Sequence, residues 1–252
     1  MDESARLERE AEFHDHAYTS GVRRASSRFY KIAESSKAEY RRAVLAGCTG
    51  LQVLEYGCGP GSCAFDLARS GASVTGIDIS PAAIELASER AEREDLENGE
   101  IRFRVMNAEQ LEFENGAFDR VCGSGILHHL EMSAAMAEIS RVLRPQGTGV
   151  FYEPLGHNPL INLYRRLTPS MRTDDEQPLI MADLRRLGDA FGQVRLSHHH
   201  LTALAAVALW RTPFYRPLRA VLDRCDRALL QLPFLRAQAW VVIVEVAEPR
   251  AP

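Results

Sequence analysis

The chain has 252 residues, of which 46% are hydrophobic and 25% are charged. At about 150 residues per domain, this length predicts one large domain or one domain with a sizeable insertion, and its core is large enough to fold without disulfides or a structural metal. Thirty basic residues against 34 acidic ones leave a net charge of −4, which gives no electrostatic support for nucleic-acid binding.

The cysteines and the apolar stretches indicate the compartment. The five cysteines are odd in number and form no Cys-x-x-Cys pair, so neither a disulfide framework nor a cysteine-rich zinc site is predicted and a cytoplasmic location is expected. The acidic amino-terminal segment contains no apolar run and does not read as a signal peptide. The longest apolar stretch, residues 201–210, is about half of the ~20 residues that cross a bilayer, so no transmembrane segment is predicted.

Taken in chain order, the hydrophobic pattern predicts two helices and then an alternation of strands and helices. The predicted helices lie at 4–16, 25–46, 62–70, 80–94, 133–143, near 158–167, and at 181–191. The predicted strands lie at 51–56, 72–79, 101–106, 118–124, 149–153, 193–200 and 240–247. The alternation up to residue 153 is typical of βαβ units and a parallel sheet. The last two strands are expected to pair as a hairpin-like edge, with the helical residues 201–235 inserted between them as a cover.

A glycine turn, Gly57-Cys58-Gly59-Pro60-Gly61, follows the first strand. Glycines at such a turn let a ligand approach the backbone, because no Cβ stands in the way. A dinucleotide motif would need a glycine where Ser62 stands, and no Gly-Lys-Ser/Thr of a P-loop follows. Glu55 would repel a phosphate, and Pro60 lacks one N–H donor. An acid beside this turn suits a positively charged ligand such as the amino group and sulfonium of S-adenosylmethionine (SAM).

Asp78 ends the second strand, where a carboxylate accepts hydrogen bonds from both ribose hydroxyls of a nucleoside. This position fits NAD and SAM equally. The alternative is a negative charge at the amino terminus of the helix that begins at Ser80-Pro81.

Four segments, LEYGCGPG, GIDIS, MNAEQLEF and FDRVCGSGILHHL, resemble the class I SAM-dependent methyltransferases in order and spacing. The Asn-Ala-Glu form of the third is similar to that of the quinone C-methylases. The resemblance is dense over about residues 51–153 and implies an α/β fold, a Rossmann-like, seven-stranded, mostly parallel sheet with helices on both faces. It implies a helical lid at 1–46 and a methyltransferase domain at 47–252 with substrate-cover insertions at about 154–190 and 201–237. The residues that it assigns to the cofactor are Glu55, Gly57, Cys58, Gly59, Gly61, Asp78, Ile79, Asn107, Ala108 and Ser124, with Tyr18 as aromatic cover from the lid.

The catalytic candidates follow the fourth and fifth strands, because ligands of an open α/β sheet bind past the carboxyl ends of its strands. His128 and His129 follow the fourth strand, and Glu153 and His157 the fifth. Any of the three histidines would serve as a general base near neutral pH. Glu153 would orient a substrate amine or hydroxyl, or else pair with Arg165 or Arg166. The alternative for His128 and His129 is that one of them caps or packs against the helix predicted to start near Ser133.

Two further features have competing interpretations. His198, His199 and His200 do not predict a metal site, because neighbouring strand residues point to opposite faces. The apolar, arginine-containing stretch 201–237 reads as a helical cover, a hydrophobic substrate pocket or a patch that touches a membrane surface.

These observations predict a SAM-dependent methyltransferase that acts on an O, N or C nucleophile of a small, fairly apolar organic molecule. Nucleic acid and metal are not expected as partners. The rival hypotheses are an NAD-linked oxidoreductase and a SAM-binding partner subunit without its own activity.

Overall fold

A computed structural model of the chain describes residues 3–20, 31–94, 96, 99–168 and 177–250, and within the first helix it describes the side chains of residues 6–16. The helices are α1 (Glu3–Ser20), α2 (Glu34–Leu45), α3 (Ala64–Arg69), α4 (Pro81–Arg93), α5 (Met132–Val142), α6 (Pro159–Leu167), α7 (Met181–Ala190), α8 (Tyr215–Leu229) and α9 (Pro233–Arg236). The strands are β1 (Gln52–Tyr56), β2 (Ser73–Asp78), β3 (Glu100–Val105), β4 (Phe118–Ser124), β5 (Leu143–Pro154), β6 (Phe191–His199) and β7 (Val241–Pro249).

The strands form one seven-stranded sheet in the order β3-β2-β1-β4-β5-β7-β6. Neighbours from β3 to β5 run parallel, and β7 runs antiparallel to both β5 and β6. The α/β fold predicted from the sequence is confirmed, and so is the pairing of the last two strands. The last two strands lie together at one end of the sheet, with β7 between β5 and β6 and with β6 at the edge.

The core lies on both faces of the sheet, as expected for parallel strands covered by helices. Alternate residues of β1 serve opposite faces: Leu54 packs in a cluster with α5 and α7, and Val53 packs in a cluster with α2 and α3. β5 begins at Leu143, directly after α5, and not at residue 149 as predicted. A register shift between Phe118 and Arg120 of β4 accommodates this early start.

The predicted lid over residues 1–46 separates into two parts. Of the helix predicted at 25–46, residues 25–30 lie outside the described residues, and α2 packs against β5 and α3. Tyr40 and Val44 of α2 are buried in the core cluster of that face. The Ser36 hydroxyl of α2 also contacts the Tyr152 hydroxyl of β5 at 3.0 Å. The structure therefore places α2 in the core of the sheet domain, and for α1 the role of a lid stays a prediction.

The two cover segments are joined to each other. Ile161 of α6 shares a buried cluster with Ala203 and Leu204, which lie in a short 3₁₀ helix at Ala203–Leu209. The Asp226 carboxylate of α8 accepts from the backbone N–H groups of residues 201, 202 and 203, which fixes α8 to the start of this segment. Among the described helices, none is both long and apolar enough to cross a membrane.

Candidate functional site

The glycine turn joins β1 to α3 in a backbone conformation that depends on glycine. Gly57 and Gly59 have φ angles of 60° and 51°, in the left-handed region that other residues seldom adopt. A Cβ on Gly57 would lie 2.8 Å from the Ile126 side chain, which belongs to the loop after β4. The turn is thus held close to that loop. The Cys58 side chain is buried, and burial raises the pKa of its thiol, so only the backbone of this residue is available to a ligand.

Glu55, the acid that precedes the turn, has three hydrogen-bond donors at the start of α3. Its carboxylate accepts from the Ser62 hydroxyl and from the backbone N–H groups of Cys63 and Ala64, each at 2.8 Å. Burial raises its pKa to about 7, against the opposing effect of these donors. Glu55 therefore fixes the helix to which the turn leads, and its direct contact with the cofactor stays a prediction.

Asp78 couples the ends of β1 and β2. Its Oδ2 accepts from the Gly59 N–H at 2.8 Å, and its Oδ1 accepts from the Ser80 N–H at 3.0 Å. A carboxylate has about four lone-pair sites, so each oxygen retains capacity for a ribose hydroxyl. The Gly59 contact brings the glycine turn and the predicted ribose acceptor together, as the sequence predicts for a nucleoside site.

The remaining predicted cofactor residues lie at the same edge of the sheet. Ile79 follows β2 and Ser124 ends β4, and both are half-buried. Asn107 follows β3 and accepts from the Glu109 N–H at 2.9 Å through its side-chain carbonyl, which therefore has one lone pair left for an adenine amino group. Ala108 is buried, and its carbonyl accepts from the Tyr56 hydroxyl at 2.7 Å. Tyr18 lies in α1, but its side chain is outside the described residues.

His128 and Glu153 form a buried pair at the ends of β4 and β5. The His128 Nδ1 lies 2.8 Å from Glu153 Oε2, and Glu153 Oε1 accepts from the backbone N–H groups of Ile126 and Leu127. Glu153 is fully buried and His128 is 8% exposed. When the carboxylate accepts a hydrogen bond from Nδ1–H, Nε2 is left as the ring nitrogen that can take up a proton. The pair thus has the arrangement of an oriented general base.

His157 does not join this pair. It is exposed, and its Nε2 accepts from the Met181 N–H at 3.2 Å at the start of α7. This capping contact uses the lone pair that a base would need. His200, in contrast, is buried, and its Nε2 lies 2.7 Å from the Ser36 hydroxyl in a structural contact.

The lid helix α1 contacts three of the loops at this edge. The Asp15 carboxylate accepts from the Ser80 hydroxyl and, at 3.3 Å, from the Ala82 N–H at the start of α4. Arg6 pairs with Glu109 after β3 and donates to the His129 carbonyl after β4 at 3.1 Å. The sequence reasoning missed Arg6, Asp15 and Glu109, because none of them lies near its partner in the chain.

A second cluster of ionisable groups joins α1 to the loop after β4. Glu10 Oε2 lies 3.5 Å from His14 Nε2 and 3.2 Å from His129 Nδ1. Burial lowers the pKa of His129, an effect that its hydrogen bond with Glu10 opposes. The sequence reasoning named His129 but missed Glu10 and His14, although the Glu-x-x-x-His spacing places Glu10 and His14 on one helix face.

Comparison with known proteins connects this geometry to a family. Residues 53–147 match the family model described as "Methyltransferase domain". The ubiquinone biosynthesis O-methyltransferase of Acinetobacter baylyi is 34% identical over 119 residues, which cover 47% of this chain and 49% of the relative. The demethylmenaquinone methyltransferase of Lactococcus lactis is 35% identical over 122 residues, 47% of each protein. The chain spans about half the length of these curated relatives.

The fold extends the likeness beyond the matched residues. The phosphoethanolamine N-methyltransferase 2 of Haemonchus contortus, solved in complex with S-adenosyl-L-methionine, has a TM-score of 0.64 and covers 94% of this chain and 60% of its own. At 17% identity this similarity concerns the fold. Residues 53–147 therefore match a methyltransferase domain, and the described fold is similar to that of a solved methyltransferase.

Proposed function

We propose that this protein transfers the methyl group of SAM to an O, N or C nucleophile of a small, fairly apolar organic molecule. The observation that carries the proposal is the contact between Gly59 and Asp78, which holds the glycine turn and the ribose acceptor at one edge of the sheet. Gly57, Gly59 and Gly61 would bind the methionine part of the cofactor, Asp78 the ribose, and Ile79, Asn107 and Ala108 the adenine. Glu55 would support this site through α3.

The chain's own contribution to the chemistry is position and proton transfer. Bound SAM supplies an electrophilic methyl group. The His128–Glu153 pair, at the end of the neighbouring strands, would take a proton from the acceptor through Nε2 while Glu153 holds the ring in place. The lid α1 covers the loops after β2, β3 and β4 and would exclude water from the reacting groups.

The apolar character of the acceptor is supported by the cover segments and by the relatives. The names of the two curated relatives refer to ubiquinone biosynthesis and to demethylmenaquinone, and both denote small organic molecules. The net charge of −4 agrees with a small molecule and not a nucleic acid as acceptor.

The exposed face of α6 supports a peripheral membrane contact as part of this function. Leu160, Leu163 and Leu167 lie on one side of the helix and are 61%, 53% and 72% exposed. Arg165 and Arg166 belong to its last turn. Such a helix would contact a membrane surface from which an apolar substrate is drawn. Flotation with anionic vesicles tests this contact, since the triple change of these leucines to Ser should abolish co-migration if α6 is the contact.

Two measurements test the proposed function. Isothermal calorimetry should detect binding of SAM or S-adenosylhomocysteine at one site, and NADH should neither bind nor compete. Radiolabelled SAM with a panel of hydroxylated or demethylated quinone precursors should then label a product. Binding of NADH with no binding of SAM would support the oxidoreductase instead, and bound SAM without transfer to any acceptor in a host extract would support a non-catalytic partner subunit.

A further inference from the structure

We propose that Glu10, His14 and His129 form a binding site for one divalent transition-metal ion between the lid and the loop after β4. The three side chains offer one carboxylate oxygen and two imidazole nitrogens, and these atoms all lie within 4.8 Å of one another. Two histidines with one carboxylate are a common ligand set for zinc and for non-haem iron. Among the described residues, this is the one cluster of three such groups that close together.

The distances agree with coordination of a single ion. Ligand atoms about 2.0–2.1 Å from a tetrahedral metal are separated from one another by about 3.3 Å. The Glu10 oxygen is 3.2 Å from His129 Nδ1 and 3.5 Å from His14 Nε2, close to that value. The ring centroids of His14 and His129 are 5.4 Å apart and nearly perpendicular, so rotation about their side-chain bonds would bring both nitrogens to the ion.

Burial and charge support a cation at this place. The side chains of Glu10, His14 and His129 are 5%, 17% and 11% exposed. A buried carboxylate is costly unless it is paired with a positive charge or a metal ion. A divalent ion would bind the Glu10 carboxylate and the two imidazoles together.

The site would have two consequences for the protein. It would fasten α1 to the loop after β4, because its ligands come from both elements. Three protein ligands also leave at least one position open, as in catalytic zinc sites, and His129 packs on His128 with ring centroids 4.2 Å apart. An oxygen of the acceptor would bind the open position beside the His128–Glu153 pair. This second consequence rests on the proposed function, whereas metal binding does not.

Cobalt(II) binding to the full-length protein tests the site. After chelator treatment, we expect one equivalent of Co²⁺ to give the visible absorption bands of nitrogen and oxygen coordination, and Zn²⁺ to displace it. Glu10→Gln, His14→Ala and His129→Ala should each weaken Co²⁺ binding at least about tenfold. Zn²⁺ should raise the melting temperature of the wild type and not that of the triple variant.

Matched controls lie on the same helix. Glu12 and His16 are exposed on α1, so Glu12→Gln and His16→Ala should bind Co²⁺ like the wild type. Circular dichroism and calorimetry with S-adenosylhomocysteine show whether each variant keeps its fold and its cofactor site. A wild type that binds no Co²⁺, or a folded triple variant that binds it as tightly as the wild type, would overturn the proposal. Neither outcome would affect the proposed methyl transfer, which fails only if SAM does not bind or is not used.

Discussion

The two halves of the candidate site are built in different ways. The cofactor half uses the backbone of the turn at 57–61 and one carboxylate, and its contacts join residues close in the chain, such as Gly59 with Asp78 and Glu55 with Ala64. The lid and acceptor half consists of side chains from distant segments, such as Glu10 and His129. The first half is specified by local sequence, and the second exists only once the whole chain has folded.

The largest effect should come from the acceptor half. His128→Ala removes the proposed base and should lower kcat by about 10²–10⁴-fold while the affinity for SAM stays the same. Steady-state kinetics and calorimetry separate the two quantities. His157→Ala is the matched control, since His157 caps α7, and it should keep wild-type kcat. If His128→Ala turns over like the wild type while His157→Ala does not, the assignment of the base is wrong.

The cofactor half should show a particular pH dependence of stability. Burial raises the pKa of Glu55 from 4.5 to about 7 in the folded protein. Between pH 4.5 and pH 7 the folded state therefore keeps a proton on Glu55 that the unfolded state has largely released. The stabilisation that this proton gives is fully present below pH 4.5 and is lost as the pH rises through 7. This is a change of up to ~3 kcal/mol in the free energy of unfolding.

Glu55→Gln tests this linkage, because the amide does not titrate. Urea denaturation at several pH values should show that the difference in stability between wild type and variant changes across pH 4.5–7. A constant difference over that window would mean that Glu55 keeps an ordinary pKa in the folded protein.

A change at Asp78 tests ligand binding by the cofactor half. Asp78→Ala should weaken SAM binding by about 1–3 kcal/mol, because two ribose hydroxyls lose an ionised acceptor. The Gly59 N–H loses its partner as well. Asp78→Asn keeps one acceptor oxygen, so its affinity for SAM should lie between those of the wild type and Asp78→Ala. Equal calorimetric affinities in all three proteins would remove Asp78 from the site.

The smallest effect concerns the conformation of the turn. Gly57→Ala should cost about 1–2 kcal/mol of stability, since it combines a left-handed φ of 60° with a Cβ 2.8 Å from Ile126. Gly188→Ala in α7 is the control: a Cβ there meets nothing within 4 Å, so this change should be neutral or stabilising. Thermal denaturation should show a lower melting temperature than the wild type for Gly57→Ala and an equal or higher one for Gly188→Ala.

The sequence predicts the sheet, the glycine turn and Asp78 because each depends on short-range patterns, strand periodicity and the conformational freedom of glycine. It does not predict that Glu55 turns toward α3, since that depends on which donors the next helix presents. The choice between His128 and His157 depends on Glu153 and on the start of α7, and the partners of α1 depend on how the amino-terminal segment crosses three loops. The sequence groups α2 with the lid because the burial of α2 comes from packing against β5, a strand that lies far away in the chain.

A crystal structure with S-adenosylhomocysteine tests the central claim most directly. We expect the two ribose hydroxyls within hydrogen-bonding distance of the Asp78 carboxylate and the amino-acid end of the ligand against the backbone of residues 57–61. A ligand bound elsewhere, with Asp78 contacting only Gly59 and Ser80, would contradict it.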